Sequence, residues 1–239
     1  MRKFLLFALP VAALLFASQA QATTIQINNA AALASNDFYD WSQLGVDGTV
    51  VASPKGVTSN ASASATISDG GDFTRLTEGL SWSGVMNAGD NVLFTGDNAK
   101  FADPAYTAAT SFEVDFGAAI AGLGLQIQSN AYSAFNATLS VYNGLTLLGT
   151  FNVSGTSSSA ADGSAPFLGA RSDAVDITRA IFSISTGDTE LDAFGLGVNR
   201  LLVTDVPFRQ DATVPEPGTL TLMGIGAAAF IRNRRRQKA

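Results

Sequence analysis

An all-β, antiparallel β-sandwich of the jelly-roll kind is the fold this sequence predicts, and three observations carry it. Apolar and polar residues alternate with period two through most of residues 23–203, the mark of strands with one buried face. Clusters of Gly, Ser and Asp cut that alternation into about ten short segments, the rhythm of a sandwich rather than of a parallel sheet. No window carries a convincing helical stripe. An up-and-down barrel is the second choice.

The segments follow in order. Strands are expected at 24–28 and 49–53. At 61–68, Ala61, Ala63, Ala65 and Ile67 alternate with Ser62, Ser64, Thr66 and Ser68. After a strand at 91–95, Phe112, Val114 and Phe116 alternate with Glu113 and Asp115. Leu123, Leu125 and Ile127 alternate with Gly124, Gln126 and Gln128. Phe135, Ala137, Leu139 and Val141 do so with Asn136, Thr138, Ser140 and Tyr142, and Asn143-Gly144 then suits a type I′ hairpin returning through 145–153. Strands at 166–170, 180–185 and 194–203 complete the domain. The Ser- and Gly-rich stretch 154–164 reads as a surface loop, because similar strands continue beyond it. Residues 204–214 read as a linker.

Composition limits the chemistry. The 239 residues include no Cys and no His, only 14% are charged, and the formal net charge is −6. Disulfides, thiolate nucleophiles, imidazole-ligated metals and Ser-His-Asp triads are therefore excluded. The charge is unevenly placed: residues 23–213 hold seven Lys or Arg against 19 Asp or Glu, a balance of −12. No basic patch or phosphate-cradling glycine loop suits nucleic acid.

Both ends carry signals. Arg2 and Lys3 precede an apolar run at 4–16, and Ala20-Gln21-Ala22 places small residues where signal peptidase needs them, so residues 1–22 read as an export signal. Cleavage after Ala22 would leave Thr23 first; cleavage after Ala20 is the second option. At the other end stand Pro215, Glu216 and Pro217, then 14 uncharged residues at 218–231, then Arg232, Arg234, Arg235, Arg236 and Lys238. The prolines keep that segment out of a helix or central strand. As a helix the uncharged stretch spans about 21 Å, short of a hydrocarbon core of about 30 Å, which makes a short membrane helix marginal without snorkelling arginines. The terminal cations would stay cytoplasmic and act as topology anchors.

This three-part tail resembles the PEP-CTERM sorting signal of exopolysaccharide-producing Gram-negative bacteria, over residues 215–239. The resemblance implies processing by exosortase, an inner-membrane cysteine transpeptidase. The chain would be an inner-membrane anchored intermediate, then a cell-surface or extracellular-matrix protein. A permanent single-span anchor is the plain alternative. Asp40-Trp41-Ser42-Gln43-Leu44-Gly45, Trp82-Ser83-Gly84, Gly122-Leu123-Gly124-Leu125-Gln126-Ile127-Gln128 and Phe194-Gly195-Leu196-Gly197-Val198-Asn199 resemble phrases of galactose-binding-like sandwich domains. In those domains the closing strand often carries Asp where this chain has Asn199, which weakens transfer of a ligand role.

Candidate sites follow from residue type. Asp69 with Asp72, and Asp188 with Glu190 and Asp192, are the two loops that could hold Ca²⁺, a hard cation that wants oxygen ligands; Asx turns are the plain alternative. Trp41 and Trp82 are candidate glycan platforms, or else plugs of the core. Glu113 and Asp115 share a strand face and read as a solvated pair rather than a hydrolase dyad. The sequons at Asn60, Asn136 and Asn152 are at chance level. The expectation is a non-enzymatic exported protein without cofactor, structural, adhesive or glycan-associated within exopolysaccharide or biofilm. A calcium-dependent lectin and a secreted carboxylate-dependent glycan hydrolase are the alternatives.

Overall fold

A computed structural model of the chain describes residues 22–97, 100, 107–188 and 195–208. The expected signal peptide (apart from Ala22), residues 209–214 and the whole C-terminal signal lie outside the described residues. Fifteen strands are described. The first seven are β1 (Thr24–Ile27), β2 (Asp37–Tyr39), β3 (Thr49–Val51), β4 (Lys55–Thr58), β5 (Ser64–Asp69), β6 (Phe73–Thr77) and β7 (Asn91–Phe94). Four long ones follow: β8 (Ser111–Ile120), β9 (Gly122–Ser129), β10 (Ala134–Asn143) and β11 (Thr146–Thr156). The last are β12 (Phe167–Ser172), β13 (Ile177–Ser185), β14 (Leu196–Val198) and β15 (Leu201–Thr204).

All strand pairs are antiparallel, and they form the two sheets of a sandwich. One sheet runs β11-β10-β13-β8-β5-β4. The other runs β1-β12-β9-β14-β7-β6-β3, with β15 and β2 branching from β9. From β7 onward the chain repeatedly changes sheet, passing from β8 to β9 to β10 and from β11 through β12, β13 and β14. That exchange is what a jelly-roll-like sandwich requires and an up-and-down barrel forbids.

The alternation in sequence becomes the division between core and solvent. In β8, Phe112, Val114 and Phe116 are buried while Glu113 and Asp115 face outward. Phe112 pairs across the strands with Phe182, and the two rings stack 5.2 Å apart, a contact worth about 0.5–1.5 kcal/mol beyond its buried area. Leu123, Leu125 and Ile127 of β9 meet that layer from the opposite sheet in one apolar cluster.

Several expectations change in detail. The hairpin between β10 and β11 turns at Gly144-Leu145, one residue late, with Asn143 paired to Thr146. Gly144 alone takes a positive φ, 57°, so the loop has the II′ rather than the I′ pattern. The expected strand at 194–203 is broken into β14 and β15. The linker was placed too early: Thr204 ends β15, Arg171 Nη2 donates to the Val206 carbonyl (2.8 Å), and the Phe208 amide donates to Ser172 (3.1 Å). Two short helical segments interrupt the β pattern. Asn29 caps the helix at Ala30–Leu33 by accepting from Ala32 N (2.8 Å), and Asp40 caps the 3-10 turn at Trp41–Leu44 through Ser42 N (2.8 Å).

The sequons at 136 and 152 have a structural reason. On adjacent antiparallel strands, Asn136 lies opposite Ser154 and Thr138 opposite Asn152. Each hydroxyl donates to the facing amide oxygen at 2.7 Å, which makes a cross-strand ladder.

Glycine matters most where β9 meets β12. Gly124 pairs with Gly169, and the Phe167 ring lies over them. A Cβ on Gly124 would stand 2.5 Å from that ring and 3.0 Å from Gly169 Cα. Gly124→Ala should therefore cost about 1–3 kcal/mol through overpacking, read as a lowered urea midpoint with an unchanged m-value.

Candidate functional site

A concave site lies where the sheet that contains β9 forks. On one side of β9, Leu196–Val198 pairs with Ile127–Ser129 and Leu202–Thr204 pairs with Gly122–Gly124. Asn199 and Arg200 fill the gap between the two strands. The Asn199 amide donates to the Gln126 carbonyl (3.2 Å), and Gln126 N donates to Asn199 Oδ1 (2.9 Å). Asn199 Nδ2 donates to Gln126 Oε1 (2.7 Å), while Gln126 Nε2 reaches the carbonyls of Gly163 and Ala165, both at 3.0 Å. Trp41 Nε1 donates to the Asn199 carbonyl (2.7 Å) from the other side.

Above this floor is a cleft of about 490 Å³, lined chiefly by Asn28, Asn29, Gln126, Phe167, Asn199 and Arg200. It offers amides, one guanidinium and one aromatic ring, and among the described residues its lining holds no carboxylate. Arg200 is exposed, with its guanidinium carbon 4.9 Å from the centre of the Phe38 ring. Burial would raise Asp40, but hydrogen bonds from Ser42 and Asn91 and the charge of Arg200 outweigh it and hold that carboxyl below its ordinary 3.8. Such a set of groups can bond hydroxyls and pack against a sugar face. It contains no acid–base pair.

A second polar constellation is buried. Glu78 is 1% exposed, and its Oε1 accepts from Gly84 N (2.9 Å). Gln128 Oε1 accepts from Val85 N (2.7 Å). Gly84 is required here, since a Cβ would lie 1.9 Å from Gln128 Nε2 and 2.5 Å from Trp82 Nε1. Burial raises Glu78 above its ordinary 4.5, only partly offset by the amides of Gly84, Met86 and Gly79. The carboxylate holds a loop in place and faces no cleft. Its neighbours gave no motif, because Glu78, Gly84 and Gln128 meet only in three dimensions.

The candidates named from sequence fare as follows. Trp41 is fully buried and Trp82 is 3% exposed. Neither ring offers a face to solvent, so the glycan-platform expectation for both gives way to a core role. Trp82 packs against Phe94 at 5.2 Å and over Gly197, where a Cβ would meet it at 2.6 Å.

Asp69 and Asp72 sit in a turn of their own. Asp69 Oδ1 accepts from Gly71 N (2.9 Å), and burial raises its carboxyl above the ordinary value. Asp72 lies 3.5 Å from Lys100, whose ammonium also meets Asp97 at 3.1 Å. A lysine thus stands beside Asp72 of the first candidate Ca²⁺ loop, and the Asx-turn alternative describes Asp69. Asp188 bonds locally with Thr186 (3.2 Å), while Glu190 and Asp192 lie outside the described residues. Among the described residues no group of three or more acidic side chains is placed to hold a metal ion. Glu113 faces Arg179 at 3.6 Å on the outer surface.

Ala20, the motif Pro215, Glu216 and Pro217, and the cations Arg232, Arg234, Arg235, Arg236 and Lys238 lie outside the described residues. Ala22 is the first residue described. Among the described residues no helix is long and apolar enough to cross a membrane.

Residues 213–236 match the family model described as the PEP-CTERM protein-sorting motif. Neither a curated protein nor a solved structure matches the chain.

Two outcomes test the site. Asn199→Asp cannot donate to Gln126 Oε1, and turning Gln126 to suit it would set its oxygen against the Gly163 and Ala165 carbonyls. The cost should be about 1–3 kcal/mol at neutral pH, measured by urea unfolding. For Glu78, the folded chain holds the proton more readily than the unfolded one. Its contribution to stability is therefore full below about pH 4.5 and declines as pH rises through the raised folded value. Wild type should lose stability relative to Glu78→Gln as pH rises from about 4.5 toward neutral, as followed by unfolding at a series of pH values.

Proposed function

We propose that this is an exported surface or extracellular-matrix protein with a non-enzymatic, structural or adhesive role associated with exopolysaccharide. The observation that carries the reading is the PEP-CTERM motif at 213–236, which supports an exported protein that exosortase sorts through a membrane-anchored intermediate. Signal peptidase removes the N-terminal segment, the inner membrane holds the apolar segment that follows Pro217, and exosortase then acts near the motif. The terminal cations keep the tail on the cytoplasmic side until it is cut away.

The fold region suits display. It needs no oxidising step, because the chain has no cysteine, and its strands close around a packed apolar core. The cleft over Gln126 and Asn199 is our choice for glycan contact. Amide and guanidinium donors match sugar hydroxyls, and Phe167 supplies a ring. The absence of carboxylates from its lining favours binding over glycoside hydrolysis, which needs a carboxylate pair.

Intact mass of the surface-released protein tests the sorting reading. The mature form should lack the residues beyond Pro217; a mass that still includes Arg234, Arg235 and Arg236 would replace processing with a permanent anchor. A glycan array with and without chelator tests the second half. Binding should be independent of chelation, while loss of binding on chelation would favour the calcium-dependent lectin. Release of reducing ends from the producer's own polysaccharide would overturn the non-enzymatic reading.

A further inference from the structure

We propose that cleavage after Ala22 creates an ion pair that the uncut chain cannot make, between the new α-ammonium of Thr23 and the carboxylate of Asp173. The pair locks the edge strand β1 in the exported form. The inference rests on the export reading and adds to it the cleavage bond and a structural consequence of cutting there.

The geometry is already in place. Thr23 N lies 3.0 Å from Asp173 Oδ1, and Asp173 N donates to the Thr23 carbonyl at 3.1 Å. These two bonds extend the β1–β12 ladder by one step, since Thr24 lies opposite Ser172. Asp173 is half-buried and Thr23 exposed. Among the described residues no side-chain cation pairs with Asp173. Arg171, two residues back along the same strand, gives its guanidinium to the Val206 carbonyl instead.

In the precursor, Thr23 N is a neutral amide with a single hydrogen. Hydrolysis adds one water across the Ala22–Thr23 bond. The carboxylate leaves with Ala22, and the amine on Thr23 holds an extra proton at neutral pH, because α-amino groups titrate near about 7.7–8.0. The same 3.0 Å contact then joins full opposite charges, a stronger hydrogen bond than the amide makes. Cleavage after Ala20 would put the ammonium two residues further out, beyond this partner. Among the described strands β1 pairs only with β12, so its first residue is where it would fray. An ammonium clamp there holds the end of this edge strand against β12.

Two chains make the test, one running from Thr23 to Ala239 and one extended by Ala20-Gln21-Ala22. Each is made with Asp173 and with Asp173→Asn, which keeps the acceptor and removes the charge. In urea unfolding, Asp173→Asn should lower the folding constant of the Thr23 form about threefold more than that of the extended form. That excess should shrink toward unity in about 1 M salt, where charges are screened within about 3 Å. Equal losses in the two forms, or a difference that ignores salt, would overturn the pair. N-terminal sequencing of the exported protein should begin at Thr23. A start at Gln21 would overturn the cleavage bond, whereas a chain still beginning at Met1 would count against the export reading and leave the unfolding result to stand by itself.

Discussion

One edge of β9 must serve two strands at once, and the sandwich depends on how that is arranged. β14 takes one half of the edge and β15 the other. Between them the backbone leaves the ladder, which would strand the amide and carbonyl of Gln126 in a half-buried place where unpaired groups are costly. Asn199 supplies both missing partners, its backbone amide for the carbonyl and its side-chain oxygen for the amide. Its side-chain nitrogen then turns Gln126 so that the glutamine ties down the 163–165 loop. An aspartate would serve the first of these tasks and fail the second. That chemistry suits Asn at this position and makes the residue a joint between the two strands, which also forms part of the floor of the cleft.

A second constraint is the exchange of side-chain volume between glycine and aromatic residues. Gly197 leaves the space that Trp82 fills, Gly124 and Gly169 leave the space for Phe167, and Gly155 leaves room for Phe135. Large rings thus lie against bare backbone, and the sheets close without cysteine. The same exchange takes Trp82 from the surface. Trp41 and Trp82 stand among Ser and Gly in sequence, which looks like a turn carrying an exposed platform. In the fold the Trp82 ring sinks against Gly84 and against Gly197 of a distant strand, and Trp41 is buried with its Nε1 donating to the Asn199 carbonyl.

The legible part of the molecule was whatever repeats locally. The long strands β8, β10 and β11 alternate between a more buried and a more exposed face, so period two displays them, although β8 runs four residues and β11 three beyond the expected ends. β9 is buried almost throughout and shows only because Leu and Ile alternate with Gly and Gln. β6 was missed because Phe73, Thr74, Arg75 and Leu76 are all buried, which erases alternation. The short strands β2 and β4 were missed as well. The break between β14 and β15 was hidden because Asn199 and Arg200 lie in an otherwise unbroken run of strand-like residues. The sorting tail was legible because its signal is linear, three features in order along the chain. The cleft was not, because Asn28, Gln126, Phe167 and Arg200 come from four separate stretches and share a site only through register.

Charge joins the fold to its export. The overall −6 combines a domain of −12 with basic ends. Four of the six described cations of the domain are engaged at its own surface, and Lys55 and Arg200 have no ion pair among the described residues. Arg75 meets Asp47, Lys100 bridges Asp72 and Asp97, Arg179 meets Glu113, and Arg171 holds a carbonyl. Arg200, lying over Phe38 at the mouth of the cleft, forms no ion pair of that kind. An acidic domain is held off anionic lipid and other acidic surfaces. On the reading proposed for the cleft, a ligand that reached Arg200 would approach through a predominantly negative field. Small or neutral hydroxyl-rich groups would pass that barrier more easily than polyanions, so the same charge distribution would narrow what the cleft could take.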